Sequence, residues 1–198
     1  RFLRGVVDSE DLPLNISREM LQNNPVLSAM KKAVTNKVVS ELEKIAKKDS
    51  EKFQAIWQNF GPVLKEGIYE DGERREALLK LSLFRSTHGD GWTTLADYIT
   101  RMKEGQDSIY YVTGTDSTSV KRSPQLEGFK ARSVEVLLLS DPVDDFWLQM
   151  VTEHDGKSFK SVTRSATDLK DLGDTPEKAD DAAPEGDVVT LITLMKEV

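Results

Sequence analysis

Arg18 and Gln22 stand four residues apart in the opening run Arg1-Phe-Leu-Arg-Gly-Val-Val-Asp-Ser-Glu-Asp-Leu-Pro-Leu-Asn-Ile-Ser-Arg-Glu-Met-Leu-Gln22. That separation puts both long polar side chains on one face if the segment is helical. An arginine offered this way, with its planar fork of donors, suits a phosphate held by another part of a larger assembly. The chain would then carry half of an active site. Asn15 or Ser17 can cap a brief helix through about Leu21, with Asn15 shaping the loop by an Asx turn. The plainer alternative has Arg18 facing solvent or pairing with Glu19 or Asp11.

A second cluster with chemical potential is Val143-Asp-Asp-Phe-Trp-Leu-Gln-Met150. Phe146 and Met150 lie four apart on a helix while Trp147 is offset from both, so part of the cluster packs on a neighbouring layer and part does not. An exposed aromatic beside acidic and amide groups suits weak, promiscuous binding of other chains. Whether Phe146 or Trp147 is the exposed ring stays open at this level.

Composition narrows the classes. The chain has 198 residues, enough for one large domain or two small ones, with 27 Lys and Arg against 34 Asp and Glu and a net charge of -7. Scattered basic groups on an acidic chain disfavour nucleic acid. No Cys is present, which removes disulfides and thiol chemistry. The two histidines, His88 and His154, are far apart and show no convergent ligands in the sequence, so no metal site is expected. Neither a membrane-spanning run nor a secretory leader is read, and a cytoplasmic protein is expected. Beginning at Arg1 in patterned sequence, the chain reads as a piece of something longer.

The elements that must position these residues follow from periodicity and punctuation. A short strand or buried loop is expected over Phe2 to Val7. Asn24 and Pro25 open a helix whose apolar stripe runs Leu27, Met30, Val34, Val38, Leu42, Ile45. A second helix starts at Ser50, carries Phe53, Ile56, Trp57 and Phe60 on one side, and is expected to stop at Gly61-Pro62. A third is expected from about Glu73 to Phe84, and His88-Gly-Asp-Gly91 reads as a loop. Thr94 caps a helix through Met102, with Asp97 at the N3 position.

The pattern then changes. Ile109 to Val112, Val134 to Leu139 and Lys157 to Val162 read as strands, with a crossover helix around Leu126 and Phe129, a helix from Asp141-Pro142 to about Val151, and a turn at Asp155-Gly156. A β-α-β-α-β order predicts a small three-layer or two-layer α/β portion with a short, mainly parallel sheet. Asp171 to Asp187 is acidic and rich in Pro and Ala, the composition of a linker. Val188 to Met195 turns apolar again, and another element is expected there.

Arg4 to Gln22, Lys65-Glu-Gly-Ile-Tyr-Glu-Asp71, Leu95-Ala-Asp-Tyr-Ile-Thr-Arg-Met102, Ile109-Tyr-Tyr-Val-Thr-Gly114 and Val134-Glu-Val-Leu-Leu-Leu-Ser-Asp141 together resemble, in order, the heat-shock protein 90 family of molecular chaperones, including its bacterial HtpG-type members. The resemblance covers nearly everything before the acidic tract. It implies the later part of a middle domain: residues 1–24 as the end of a larger α/β/α portion with the catalytic loop, 25–92 as a three-helix connector, 93–170 as a small α/β/α subdomain, 171–187 as an acidic linker, and 188–198 as the start of a C-terminal dimerisation domain.

By the same resemblance, Arg18 contacts the γ-phosphate of ATP bound, with Mg, in an N-terminal domain absent from this chain, and Gln22 supports that assembly. Asn15 and Ser17 shape the loop. The helix around Asp145, Phe146, Trp147 and Gln149 contributes to a surface for non-native client proteins, Phe146 standing where the family's exposed aromatic is expected. The full-length protein is implied to be a homodimeric ATPase of the stress response, while this piece alone binds no cofactor, hydrolyses nothing, and is a monomer if the dimerisation domain is missing. Two other readings stand beside this one. One is a non-catalytic scaffold coupling partners to a neighbouring domain. The other is a self-contained enzyme, for which no phosphate-cradling glycine loop or triad is found.

Overall fold

The computed structural model describes residues 4–6 and 24–165. Arg18, Gln22, Asn15 and Ser17 lie outside the described residues, as do the acidic tract and the apolar segment after it. Arg4 to Val6 form neither helix nor strand and are all exposed, so neither the short strand nor the buried loop expected over Phe2 to Val7 runs through them.

Helix α1 spans Pro25–Lys48, with Pro25 in its first turn and the Asn24 side chain accepting from the Val26 amide at 2.8 Å. This is the start the sequence predicts, because proline pre-sets the first-turn φ and asparagine satisfies an orphan N–H. Lys37 and Lys44 both pair with Glu41 on the solvent side. On the other side Leu42 is buried and joins Phe53, Trp57, Leu81 and Leu83 in a small core.

Helix α2 spans Ser50–Glu70 and is capped by Asp49, whose carboxylate accepts from the Lys52 amide. It runs straight through Gly61 and Pro62, where the sequence predicts its end. Proline removes one ladder hydrogen bond and glycine is a poor helix former. Burial on both sides of the break overrides them: Phe53 and Trp57 are covered before it, Lys65 and Ile68 after it. Gly61 also fills a steric need, since a Cβ there would lie 2.9 Å from the Trp57 indole nitrogen.

Helix α3 covers Arg75–Leu81, shorter than predicted. Leu83 and Phe84 leave the helix, and Phe84 opens strand β1, Phe84–Ser86. The segment read as a loop pairs with β1 as strand β2, Gly89–Thr93. Its glycines and His88 carry no strand propensity, so the pairing is imposed by the neighbouring strand. Helix α4, Leu95–Thr100, starts with the expected capping box between Thr94 and Asp97.

Strand β3 is Ser108–Thr113. The crossover is helix α5, Ser117–Lys121, a 3-10 turn at Pro124–Leu126, and helix α6, Glu127–Ala131. Strand β4 is Leu137–Leu139, helix α7 Asp144–Met150, strand β5 Glu153–His154, and strand β6 Lys157–Ser161. Asp155 and Gly156 make the last turn with φ of 47° and 73°, a left-handed pair suited to a two-residue hairpin.

Among the described residues six strands form one sheet in the order β2-β1-β4-β3-β6-β5. The central β4, β3 and β6 are parallel, as predicted, while β1 runs antiparallel to β4 and β5 runs antiparallel to β6. The sheet is therefore mixed, a parallel centre with a hairpin at each edge. Alternation along β3 divides two cores. Ile109 packs with Leu137, Leu139, Phe84, Trp147 and residues of α2 to α4 on one face, whereas Tyr110 and Val112 pack with Leu126, Phe129 and Leu138 on the other. Ile68, Leu78 and Leu79 share the first core with sheet residues, so the helical stretch and the sheet bury one apolar surface together.

Candidate functional site

Helix α7 positions the residues singled out around Phe146. Its buried face is Asp144 and Trp147, three residues apart, continued by Val151. Trp147 is 0% exposed, 6.1 Å from the Phe84 ring and 5.5 Å from the Phe159 ring between centroids. Its indole N–H donates to Asp144 Oδ1 at 2.8 Å, the partner a buried Trp requires. Trp147 is thus a core residue, and its ring is not offered to another chain. Phe146, about a quarter turn round the helix, is 55% exposed.

A buried ion cluster fixes that rotation. Lys65 Nζ of α2 lies 2.8 Å from both Asp144 Oδ1 and Asp141 Oδ2, with the Lys65 and Asp144 side chains almost wholly enclosed. The ammonium also sits 5.2 Å from the centre of the Phe84 ring, a cation–π contact. The remaining Asp144 oxygen accepts from the Asp141 amide. Burial pushes the Asp144 carboxyl up, opposed by the charge and hydrogen bond of Lys65 and by the Trp147 N–H. Both oxygens of the buried Asp144 have partners, and Lys65 has two carboxylates, which is what makes a buried charge tolerable.

Above this anchor the surface is mixed. The Tyr69 ring, on the last turn of α2, meets Phe146 edge-on at 6.1 Å, and Tyr69 and Met150 are both exposed. Asp145 and Gln149 are exposed beside Phe146, and Gln149 Nε2 donates to the Asp145 carbonyl at 3.0 Å. Both line a cleft of about 760 Å³ that also takes in Tyr111, Lys160 and Arg164. It sits beyond the carboxyl ends of the parallel strands β3 and β6, the usual place for a crevice in such sheets. Burial raises the Tyr111 hydroxyl above its ordinary range, opposed by the charge of Arg164.

The structure thus joins Asp145, Phe146 and Gln149 on one surface and removes Trp147 from it. Tyr69 is the member that sequence reasoning missed. It belongs to a different helix, and nothing in its own neighbourhood points to α7. His154, read as lacking convergent ligands, is brought beside Glu76 of α3 and Asp155; the hairpin and α3 meet only through the tertiary fold.

The strand–glycine–helix turn after β3 is no phosphate cradle. The Asp116 carboxylate accepts from the Thr118 and Ser119 amides at 2.8 and 2.9 Å, and these bonds hold its pKa below the usual range. A negative charge therefore already occupies the donors a phosphate would need. Among the described helices none is long and apolar enough to cross a membrane.

This architecture defines a class: a helical connector packed on a small mixed α/β layer, with an exposed, half-apolar surface on α7 beside the cleft. The chain belongs to the Hsp90 family, whose model, described as Hsp90 protein, matches residues 1–198, and it represents the middle-domain region. It is 57% identical over 199 residues to the chaperone protein HtpG of Roseobacter denitrificans, covering 99% of this chain and 32% of that protein. The chaperone protein HtpG of Mesorhizobium japonicum is 55% identical over 191 residues, covering 94% of this chain and 30% of that protein. The chain therefore spans about a third of the length of the curated relatives it matches. A solved middle domain of a Plasmodium falciparum heat shock protein is similar in fold, with a TM-score of 0.65 and 32% identity over 72% of this chain and 60% of that one.

Proposed function

We propose that this chain is the later middle-domain segment of a cytoplasmic, ATP-driven chaperone, with two tasks. It supplies Arg18 to the γ-phosphate of ATP held, with Mg²⁺, by an N-terminal domain, Gln22 supporting the same assembly and Asn15 and Ser17 shaping its loop. It also offers Phe146, with Asp145 and Gln149, to non-native client proteins. The observation that carries the second task is the opposite fates of two adjacent aromatics, Trp147 locked in the core and Phe146 left at the surface. Support for the first task is the match of the opening run to the family, together with the physical demand for a fixed cationic donor at a transferring phosphoryl group.

Full length, the protein is read as a homodimer whose ATP site lies outside this piece, and the piece alone as inactive. The experiment is steady-state ATP hydrolysis by the full-length protein carrying Arg18→Ala. A fall of about tenfold in rate with ATP affinity nearly unchanged corresponds to about 1.4 kcal/mol of lost transition-state stabilisation. An unchanged rate rejects the role of Arg18 and leaves the client surface as the function.

A further inference from the structure

We propose that Glu76, His154 and Asp155 form a binding site for a divalent cation of Zn²⁺ type. His154 is only 4% exposed, yet its Nδ1 makes no hydrogen bond in the structure. Buried polar atoms are seldom left in that state, and an orphan of this kind calls for a ligand. The neighbouring atoms are the right ones. Glu76 Oε1 is 3.4 Å from Nδ1 and Asp155 Oδ2 is 3.7 Å from Nε2. One ligand atom from each of the three residues falls within 4.8 Å of the others.

The spacing fits the chemistry. Nitrogen and oxygen ligands each about 2.0–2.1 Å from Zn²⁺, at a tetrahedral angle, lie about 3.3–3.4 Å from one another, the separation found between Nδ1 and Glu76. Glu76 already stands on the Nδ1 side, whereas the Asp155 contact is to the other ring nitrogen, so the exposed Asp155 carboxylate must swing across the ring edge to share an ion on Nδ1, with water completing the shell. Lys80, 3.6 Å from Glu76 Oε1, competes for that carboxylate, which makes the site a weaker one than a closed structural zinc. One imidazole with two carboxylates suits Zn²⁺, Ni²⁺ or Cu²⁺, whereas Mg²⁺ prefers oxygen and water. A bound ion would tie α3 to the β5–β6 hairpin, joining the helical stretch to the edge of the sheet.

The test is calorimetric titration of the 198-residue chain with ZnCl₂, followed by His imidazole resonances in NMR. One saturable equivalent is expected, with the His154 ring shifted and the His88 ring unmoved. Glu76→Gln and Asp155→Asn, both at exposed positions, should each weaken binding by about tenfold, His88→Gln should leave it unchanged, and MgCl₂ should not compete. The absence of saturable Zn²⁺ binding, wild-type affinity in the Glu76→Gln/Asp155→Asn double variant, or a response at His88 in place of His154 overturns the proposal.

Discussion

Phe146 and Trp147 are neighbours whose environments differ because a helix turns about 100° per residue and only one of them finds an internal partner for its polar atom. Asp144 accepts the Trp147 indole N–H, whereas Phe146 has nothing to satisfy and little to lose by facing water. Phe146→Ser should therefore leave stability within about 0.5 kcal/mol. Affinity for a non-native client should fall about fivefold, the order of 1 kcal/mol at a moderate contact residue. Chemical denaturation and fluorescence anisotropy with a labelled unfolded protein measure the two separately, and undiminished client affinity would remove Phe146 from the surface proposed.

Helix α7 presents that surface only because α2 holds it. The clamp runs from Lys65 to Asp141 and Asp144, and α2 reaches it by continuing past Gly61 and Pro62. Had the helix stopped at that pair, neither Lys65 nor Tyr69 would stand where it does. Lys65→Met should cost about 3 kcal/mol in urea unfolding, because it leaves Asp144 charged and buried without its counter-ion. Adding Asp144→Asn to that variant should recover part of the loss, since the remaining amide carries no charge. A cost near zero for the single variant would mean that packing alone orients α7.

At the scale of the whole molecule, the carboxylates divide into two kinds with opposite pH dependence. Lys44 and Lys37 hold Glu41 down from 4.5 to about 2, Lys32 lowers Glu73, and Lys121 lowers Asp90. A carboxylate lowered by folding binds fewer protons in the native state, so its contribution is present above its unfolded pKa and is lost as pH falls toward the folded one. Asp144, raised mainly by burial, acts in the other direction and loses stability as pH rises. Because the lowered group is the more numerous of the two, the urea midpoint should fall between about pH 4.5 and pH 2. These pairs are exposed, so about 0.5 M NaCl should flatten that slope. A midpoint that rises on acidification over this window would show Asp144 to dominate.

Much of this molecule was legible from the chain alone. Asn24-Pro25 and Thr94 with Asp97 predict helix starts because capping is settled within three or four residues. Strands β3 and β4 were readable for a similar reason, since a run of consecutive apolar and aromatic residues declares burial on both faces, and the parallel centre followed from the alternation of strands and helices. The family was readable because long ordered matches carry more information than any single motif. The tertiary structure alone decided what depends on distant partners. Burial on both sides of Pro62 carries α2 through it, β1 imposes strand pairing on the glycine-rich β2, and the bond from Trp147 to the Lys65-paired Asp144 holds that ring inward while Phe146 faces water. The same holds for Tyr69 beside Phe146 and Glu76 beside His154, since residues on separate elements meet only when the core they share has closed.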